Sequence, residues 1–212
     1  MVTVELFGLP GAGKTSILEQ LAGRVVDGWD ATSKIAARRF AVHHPLRASR
    51  ALSATMRSQS PTFATAKLAL FRERQAVAVS HCANEDIVVF HEGILTATRR
   101  IQTRESPPLS AQVLENLLPA SDIVVIVDTP EDVALERFLS RLEKTGVNDP
   151  IIPLLDRPED AMKRWEVIRR ATEMVIAALP TTTARVDGMQ PVDTNAEEVL
   201  DLALSAQTPD ST

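Results

Sequence analysis

A glycine-rich segment near the N-terminus carries the residue pattern best suited to chemistry. It reads Gly8-Leu9-Pro10-Gly11-Ala12-Gly13-Lys14-Thr15 and fits the spacing G-x-x-x-x-G-K-[ST] at every fixed position. In such a loop the glycines turn backbone N–H groups toward a phosphate, the lysine adds a positive charge, and the threonine hydroxyl faces Mg²⁺. The alternative is a glycine-rich turn with an exposed lysine. We expect a nucleoside triphosphate to contact Gly8, Pro10, Gly11, Ala12, Gly13, Lys14, Thr15 and Ser16, with Thr15 at the metal and Lys14 also catalytic.

The elements around this loop predict the fold class. A short strand, Thr3–Phe7, precedes the loop, and a helix follows it with Ile17, Leu18, Leu21, Ala22 and Val25 on one face. Two apolar runs, Ile87–Phe90 and Ile123–Val127, are typical of strands buried on both faces. Strands that alternate with helices indicate an α/β fold with a parallel sheet flanked by helices. Ligands of such sheets bind beyond the carboxyl ends of the strands.

Length and composition favour one globular domain. The chain has 212 residues, and we expect a domain over 1–205 and a disordered tail over 206–212. Aromatic residues make up 4% of the chain and there is no tyrosine, which argues against a stacking platform for nucleic acid. Cys82 is the one cysteine, so an internal disulfide is excluded. We expect no signal peptide, no membrane-spanning segment and a cytoplasmic location.

The net charge of −5 conceals a strongly basic block. Residues 31–72 contain eight lysines and arginines and no acid. Such a block in an acidic protein indicates an anionic partner, either a phosphorylated small molecule or nucleic acid. The alternative is a set of solvated helix-forming arginines.

Acidic residues follow two of the predicted buried strands. Glu92 could accept a proton from an acceptor hydroxyl or hold a metal-bound water, or it could cap the next helix. Asp128 could contact Mg²⁺ through water, or cap the helix that starts at Pro130. His91 is more typical of a packed strand residue than of a functional one.

A helix after the second apolar strand carries a stripe of cations. Arg137, Arg141 and Lys144 are spaced so that they share one face. An arginine fork suits a phosphoryl group in transfer. The alternative is a solvated face paired with Glu136 and Glu143.

The layout resembles the P-loop nucleoside and nucleotide kinases, most of all the thymidylate kinase and deoxynucleoside kinase group. The resemblance runs over roughly residues 2–204. It rests on the loop Gly8–Thr15, the strand ending in Phe90-His91-Glu92-Gly93, the segment Val125–Arg137, the loop behind it, and Arg185-Val186-Asp187-Gly188 before a last helix.

This resemblance implies a P-loop nucleotide kinase-like fold with a helical lid over 141–158, whose arginines close over the transferring phosphate. It implies Glu92, Arg137 and Arg141 as catalytic residues, Mg²⁺ and ATP as cofactors, and a homodimer by analogy. The kinases of this group follow their third strand with an acid and an arginine, whereas Gly93 follows Glu92 here. Arg99, Arg100 or Arg104 could supply that arginine, and Arg157 is a further lid candidate.

We therefore predict an Mg-ATP-dependent kinase that acts on a small anionic acceptor held between residues 31–82 and the sheet edge. One alternative is a P-loop NTPase or nucleotide-binding protein without kinase activity. Another is a kinase of nucleic-acid ends, which the scarcity of aromatics disfavours. The sequence does not choose between ATP and GTP.

Overall fold

The protein forms an α/β fold around one parallel sheet. The computed structural model describes residues 1–27, 44–47, 49, 63–103, 109–110, 113–115, 118, 121–145, 158–179 and 183–207. Within these ranges the strands are β1 Val2–Phe7, β2 Val26–Asp27, β3 Ile87–Phe90, β4 Ile123–Asp128 and β5 Ala184–Asp187. The named helices are α1 Lys14–Gln20, α2 Phe63–His81, α3 Ile94–Gln102, α4 Glu131–Thr145, α5 Pro158–Ala177 and α6 Val192–Gln207.

The order of the strands places the glycine-rich loop at the middle of the sheet. The five strands lie in the order β2-β3-β1-β4-β5, and every pair is parallel. Strand β1 is therefore central, and the loop that follows it has strand ends on both sides. The predicted parallel sheet flanked by helices is confirmed.

The two faces of β1 pack against different helices because successive side chains alternate between them. Val2, Val4 and Leu6 belong to the apolar core that includes residues of α1 and α6. Phe7 belongs to a second core on the opposite face, which α3 and α5 help to form. Both faces of the sheet are thus covered, as a parallel sheet requires.

The helix after the loop is shorter than the pattern predicts. It ends at Gln20, the chain turns at Gly23 with φ +82°, and the next residues form β2. Val26 and Asp27 pair with Val88 and Val89 of β3. The prediction that the helical face extends to Val25 is wrong, because the left-handed turn at Gly23 ends the helix and sends the chain to the sheet edge.

The last helix is longer than expected. It runs over Val192–Gln207, so two residues assigned to a disordered tail, Ala206 and Gln207, are helical. The Gln207 side chain donates a hydrogen bond to the Asp86 carbonyl at 2.8 Å, which anchors the helix end beside β3. Residues 208–212 lie outside the described ranges, as do most of the basic block 31–72 and of the predicted lid 141–158. No described helix is both long and apolar enough to cross a bilayer.

A fully buried carboxyl group links β1 to the start of α3. The Oε1 atom of Glu5 accepts a hydrogen bond from the Leu95 backbone N–H at 2.7 Å. A Cβ atom at Gly93 would lie 2.4 Å from the Glu5 carboxyl carbon, so the carboxyl group needs a glycine there. Burial raises the pKa of Glu5 to about 8, and the hydrogen bond from Leu95 opposes that rise.

We expect the stability of the protein to fall with rising pH because of Glu5. Its pKa is about 8 in the fold against an ordinary value of 4.5, so the folded state holds the proton more tightly than the unfolded chain. The contribution is full below pH 4.5 and is lost as the pH rises to 8, on the order of a few kcal/mol. The substitution Glu5→Gln should remove this slope and stabilise the protein most at alkaline pH.

Urea unfolding of wild type and Glu5→Gln between pH 4.5 and 8.5 measures this effect. Glu198→Gln, an exposed site on α6, is the matched control and should leave the pH dependence unchanged. If the free energy of unfolding changed with pH by the same amount in wild type and Glu5→Gln, Glu5 would not titrate in this way.

Candidate active site

A cavity of about 580 Å³ opens where the loop, the ends of β3 and β5, and residues of five helices meet. Its floor is the glycine-rich loop from Pro10 to Ser16. Most of its other lining residues are charged or polar, and they include His91, Glu92, Thr96, Arg99, Arg100, Thr103, Arg137, Arg141, Gln190 and Asn195. The structure therefore brings the loop, Glu92, Arg137 and Arg141 together, as the sequence predicted for a shared site.

Close packing behind the loop explains two of its glycines. Gly8 and Gly11 have φ values of +146° and +85°, which side-chain-bearing residues rarely adopt. A Cβ atom on Gly8 would lie 2.6 Å from the Val127 carbonyl oxygen, and one on Gly11 would lie 2.2 Å from the Ala134 carbonyl oxygen. The loop is thus pressed against the end of β4 and the first turns of α4, which fixes its shape.

The lysine of the loop is folded back onto the loop itself. Its Nζ atom donates hydrogen bonds to the carbonyl oxygens of Gly8 at 3.1 Å and Leu9 at 2.8 Å. Burial lowers the pKa of Lys14 well below its usual range, and the charges of Arg99 and Arg141 lower it further. An anion bound beside Lys14 would reverse this effect, so the site is arranged to gain from a phosphate.

Arg99 is a buried cation whose role the sequence left open. Its guanidinium donates a hydrogen bond to the Gly8 carbonyl at 2.7 Å and lies 5.8 Å from the centre of the Phe7 ring. Burial lowers its pKa to about 10, with a further contribution from the charge of Arg100. Arg99 therefore supports the loop from behind and adds positive charge to the cavity wall.

Arg100 supplies the arginine that is missing directly after Glu92. Its Nη2 atom donates a hydrogen bond to Glu92 Oε1 at 2.7 Å, and both side chains are about one-third exposed. Of the three candidate arginines, Arg100 pairs with the acid, Arg99 contacts the loop, and Arg104 lies outside the described residues. The second turn of α3 thus supplies an arginine that pairs with Glu92, although Gly93 is the residue that follows Glu92 in the chain.

Two cations of α4 reach the opposite wall. Arg137 donates a hydrogen bond to the Gly188 carbonyl at 3.2 Å, and the Arg141 guanidinium lies 5.8 Å from the centre of the Phe138 ring. Both side chains border the cavity. The side chain of Lys144 and all of Arg157 lie outside what the structure describes, so their predicted lid roles stay predictions.

Asp128 lies apart from the phosphate site. Its carboxylate accepts a hydrogen bond from Arg185 at 3.0 Å and borders a second, more open hollow formed with Glu131 and Asp187. It is not among the residues that line the main cavity. The expected contact of Asp128 with a metal at Thr15 is therefore not supported, because the ion pair with Arg185 draws the carboxylate toward β5.

Two residues at the neighbouring strand ends form a pair that sequence reasoning missed. His91 Nδ1 lies 3.7 Å from the Asp27 carboxylate, and His91 also borders the cavity. Asp27 ends β2, which has two residues and gives no strand signal of its own. Only the pairing of β2 with β3 in the folded protein places Asp27 beside His91.

The cavity fits a phosphate-bound divalent cation better than a protein-built metal site. Among the described residues, no group of three or more His, Cys, Asp or Glu side chains is placed to hold a metal ion. Mg²⁺ needs few protein ligands when it is bound through substrate phosphates. Thr15 borders the cavity beside Lys14, so its hydroxyl fits that arrangement.

Comparisons with known proteins show likeness in structure alone. No protein-family model and no curated protein sequence matches the chain. A structure of deoxyadenosine kinase from M. mycoides with products dCMP and a flexible dCDP bound is similar, with a TM-score of 0.52 and 14% identity. That alignment covers 96% of this chain and 99% of the other.

Two further structures have lower scores. Deoxyadenosine kinase from M. mycoides with bound dATP has a TM-score of 0.48 at 14% identity, covering 95% of this chain and 98% of that one. Shikimate kinase from Acinetobacter baumannii in complex with shikimate has a TM-score of 0.46 at 16% identity, covering 99% and 96%. The likeness to the first of these structures, at a TM-score of 0.52 and 14% identity, establishes a shared fold and nothing about the reaction. The chain therefore has the fold of the P-loop nucleoside and nucleotide kinases.

Proposed function

We propose that the protein is an Mg-ATP-dependent kinase that transfers the γ-phosphoryl group to a small anionic acceptor. The observation that carries the proposal is the charge of the cavity. Among its described lining residues, five are lysine or arginine and two, Glu19 and Glu92, are acidic. A polyphosphate would balance this excess, and the loop Gly8–Thr15 is built to hold one.

The donor would bind at the loop. Lys14 would exchange the carbonyl oxygens of Gly8 and Leu9 for oxygens of the β- and γ-phosphates. Thr15 would hold Mg²⁺, which neutralises phosphate charge when bound. Arg99 already donates to the Gly8 carbonyl, so the loop would keep its shape when Lys14 moves.

The transfer would take place between the loop and the end of β3. The acceptor oxygen would form a bond to the γ-phosphorus while the bond from that phosphorus to the β–γ bridging oxygen breaks. The acceptor proton would pass to the Glu92 carboxylate, and ADP would leave with the bridging oxygen. Arg137 and Arg141 border the cavity from α4, where a cation would stabilise the charge spread over the moving group.

An anionic acceptor is supported by the face that α3 turns to the cavity. Thr96, Arg99, Arg100 and Thr103 recur at helical spacing, and all four border it. This face lies beside Glu92, where the acceptor hydroxyl would be. The basic block 31–72, predicted to add further cations, lies mostly outside the described residues.

Label transfer from ATP tests the proposal. The protein is incubated with Mg²⁺, γ-labelled ATP and separate pools of nucleosides, nucleoside monophosphates, other hydroxylated anions and oligonucleotides. We expect label on a small acceptor. Phosphate release that needs no acceptor would indicate an NTPase, and label on oligonucleotides would indicate a kinase of nucleic-acid ends. Either result, or no turnover of ATP at all, would contradict the proposed small-molecule kinase.

We expect Lys14→Ala to lower ATP turnover by about 10²-fold or more, because it removes the cation nearest the phosphates. Folding should change little, since the Gly8 carbonyl oxygen keeps its hydrogen bond from Arg99. Calorimetric titration with Mg-ATP measures the effect on nucleotide binding, and thermal unfolding measures the effect on stability. Lys163→Ala, at an exposed position of α5, is the control, and equal ATP affinity in both variants would contradict the donor site.

We expect Glu92→Gln to slow transfer by about 10²-fold or more while ATP affinity is retained, because the amide cannot take a proton from the acceptor. The loss should appear in kcat on the acceptor found by label transfer. Glu19→Gln makes the same change at another acid of the cavity and should have little effect. Full activity in Glu92→Gln would exclude Glu92 as the base.

A further inference from the structure

The side chain of Phe138 lies where the phosphate loop, α4 and α5 meet. It is 7% exposed and belongs to an apolar cluster with Ala134 and Trp165, against which Leu9 of the loop packs. A Cβ atom on Gly11 of the loop would lie 3.1 Å from the Phe138 backbone nitrogen, so α4 is pressed against the loop at this residue. The Phe138 ring is therefore fixed relative to the loop.

Trp165 of α5 supports this ring from the neighbouring helix. The centres of the two rings are 5.7 Å apart, and their planes are tilted by 41°. The Trp165 side chain is buried, and its Nε1 atom donates a hydrogen bond to Glu131 Oε1 of α4 at 2.9 Å. The indole is thus held by packing and by a hydrogen bond, which limits the movement of Phe138.

Arg141 lies over the ring that these contacts fix. Its guanidinium carbon is 5.8 Å from the centre of the Phe138 ring, and both side chains border the cavity. Residues at this spacing share one face of a helix, and the negative face of an aromatic ring attracts a guanidinium. The ring therefore offers Arg141 an attractive surface at the edge of the cavity.

Repulsion from another cation of the site gives this contact a purpose. Burial lowers the pKa of Lys14 well below its usual range, and the charges of Arg99 and Arg141 lower it further, so Lys14 and Arg141 repel each other. The Arg141 side chain is exposed and has many rotamers. Repulsion favours the rotamers that point away from the loop, and attraction to the Phe138 ring opposes that preference.

We propose that Phe138 is a positioning residue whose ring holds the Arg141 guanidinium toward the γ-phosphate of a nucleotide on the loop. This inference rests on the proposed function, because it needs a triphosphate at Gly8–Thr15. Arg137 borders the same wall but donates a hydrogen bond to the Gly188 carbonyl, so loss of the ring should act through Arg141.

The ratio of the dissociation constants of Mg-ADP and Mg-ATP measures what the γ-phosphate contributes to binding, because the two nucleotides differ only in that group. Calorimetric titration gives this ratio for wild type, Phe138→Leu, Arg141→Met and the double variant. We expect the ratio to fall about tenfold in Arg141→Met and about three- to fivefold in Phe138→Leu. The double variant should match Arg141→Met, since the ring acts through the arginine.

Three results would overturn the inference and leave the proposed function standing. They are an unchanged ratio in Phe138→Leu, an unchanged ratio in Arg141→Met, and an equal effect of Phe138→Leu with and without Arg141. Binding of neither nucleotide by the wild type would instead contradict the proposed function as well.

Two further variants separate positioning from a merely structural role. Phe138→Tyr keeps the ring and should keep the wild-type ratio, and a ratio as low as that of Phe138→Leu would overturn the inference. Phe71→Leu is the matched control, because the Phe71 ring lies 6.0 Å from the Arg74 guanidinium carbon and neither of these two described residues borders the cavity. It should leave the ratio unchanged.

Thermal unfolding of each variant accompanies the titrations. A loss of stability by itself weakens both nucleotides alike and does not move their ratio. If Phe138→Leu does not fold, Phe138→Met takes its place, since methionine fills irregular space without a ring, and the same fall in the ratio is expected.

Discussion

The Gly8 carbonyl oxygen is the point on which the arrangement of the site depends. It accepts hydrogen bonds from Lys14 at 3.1 Å and from Arg99 at 2.7 Å, so the loop lysine and the first helix after β3 meet at one atom. The left-handed conformation of Gly8 and its contact with β4 fix where that oxygen lies. In the proposed donor complex a triphosphate would draw Lys14 away while Arg99 remained, so the loop would not need to rearrange to bind it.

The positive charges around this oxygen support the proposed binding of an anion in the cavity. Lys14 and Arg99 both have lowered pKa values, because burial and neighbouring cations disfavour their charged forms. Glu92 offsets part of that repulsion, yet it is already paired with Arg100. The described lining of the cavity therefore holds positive charge that its own acids do not balance, which supports the proposed binding of phosphoryl groups.

The sequence predicted the parts of the site that local patterns encode. The phosphate loop follows from glycine spacing, and β3 and β4 follow from apolar runs, so the position of Glu92 at a strand end is predictable from local sequence. The pairing of Glu92 with Arg100 and of Asp128 with Arg185 depends on how helices and strands pack, which no local pattern fixes. Strand β2 escaped notice for the same reason, since only its pairing with β3 identifies it.

A crystal structure with Mg²⁺ and a non-hydrolysable ATP analogue is the most direct test of the account. It should place the β- and γ-phosphates on the loop, with Lys14 Nζ moved from the carbonyl oxygens of Gly8 and Leu9 to phosphate oxygens. Arg99 should keep its hydrogen bond to Gly8. A nucleotide bound elsewhere, or a Lys14 side chain that stays on the carbonyl oxygens with the loop filled, would contradict the account.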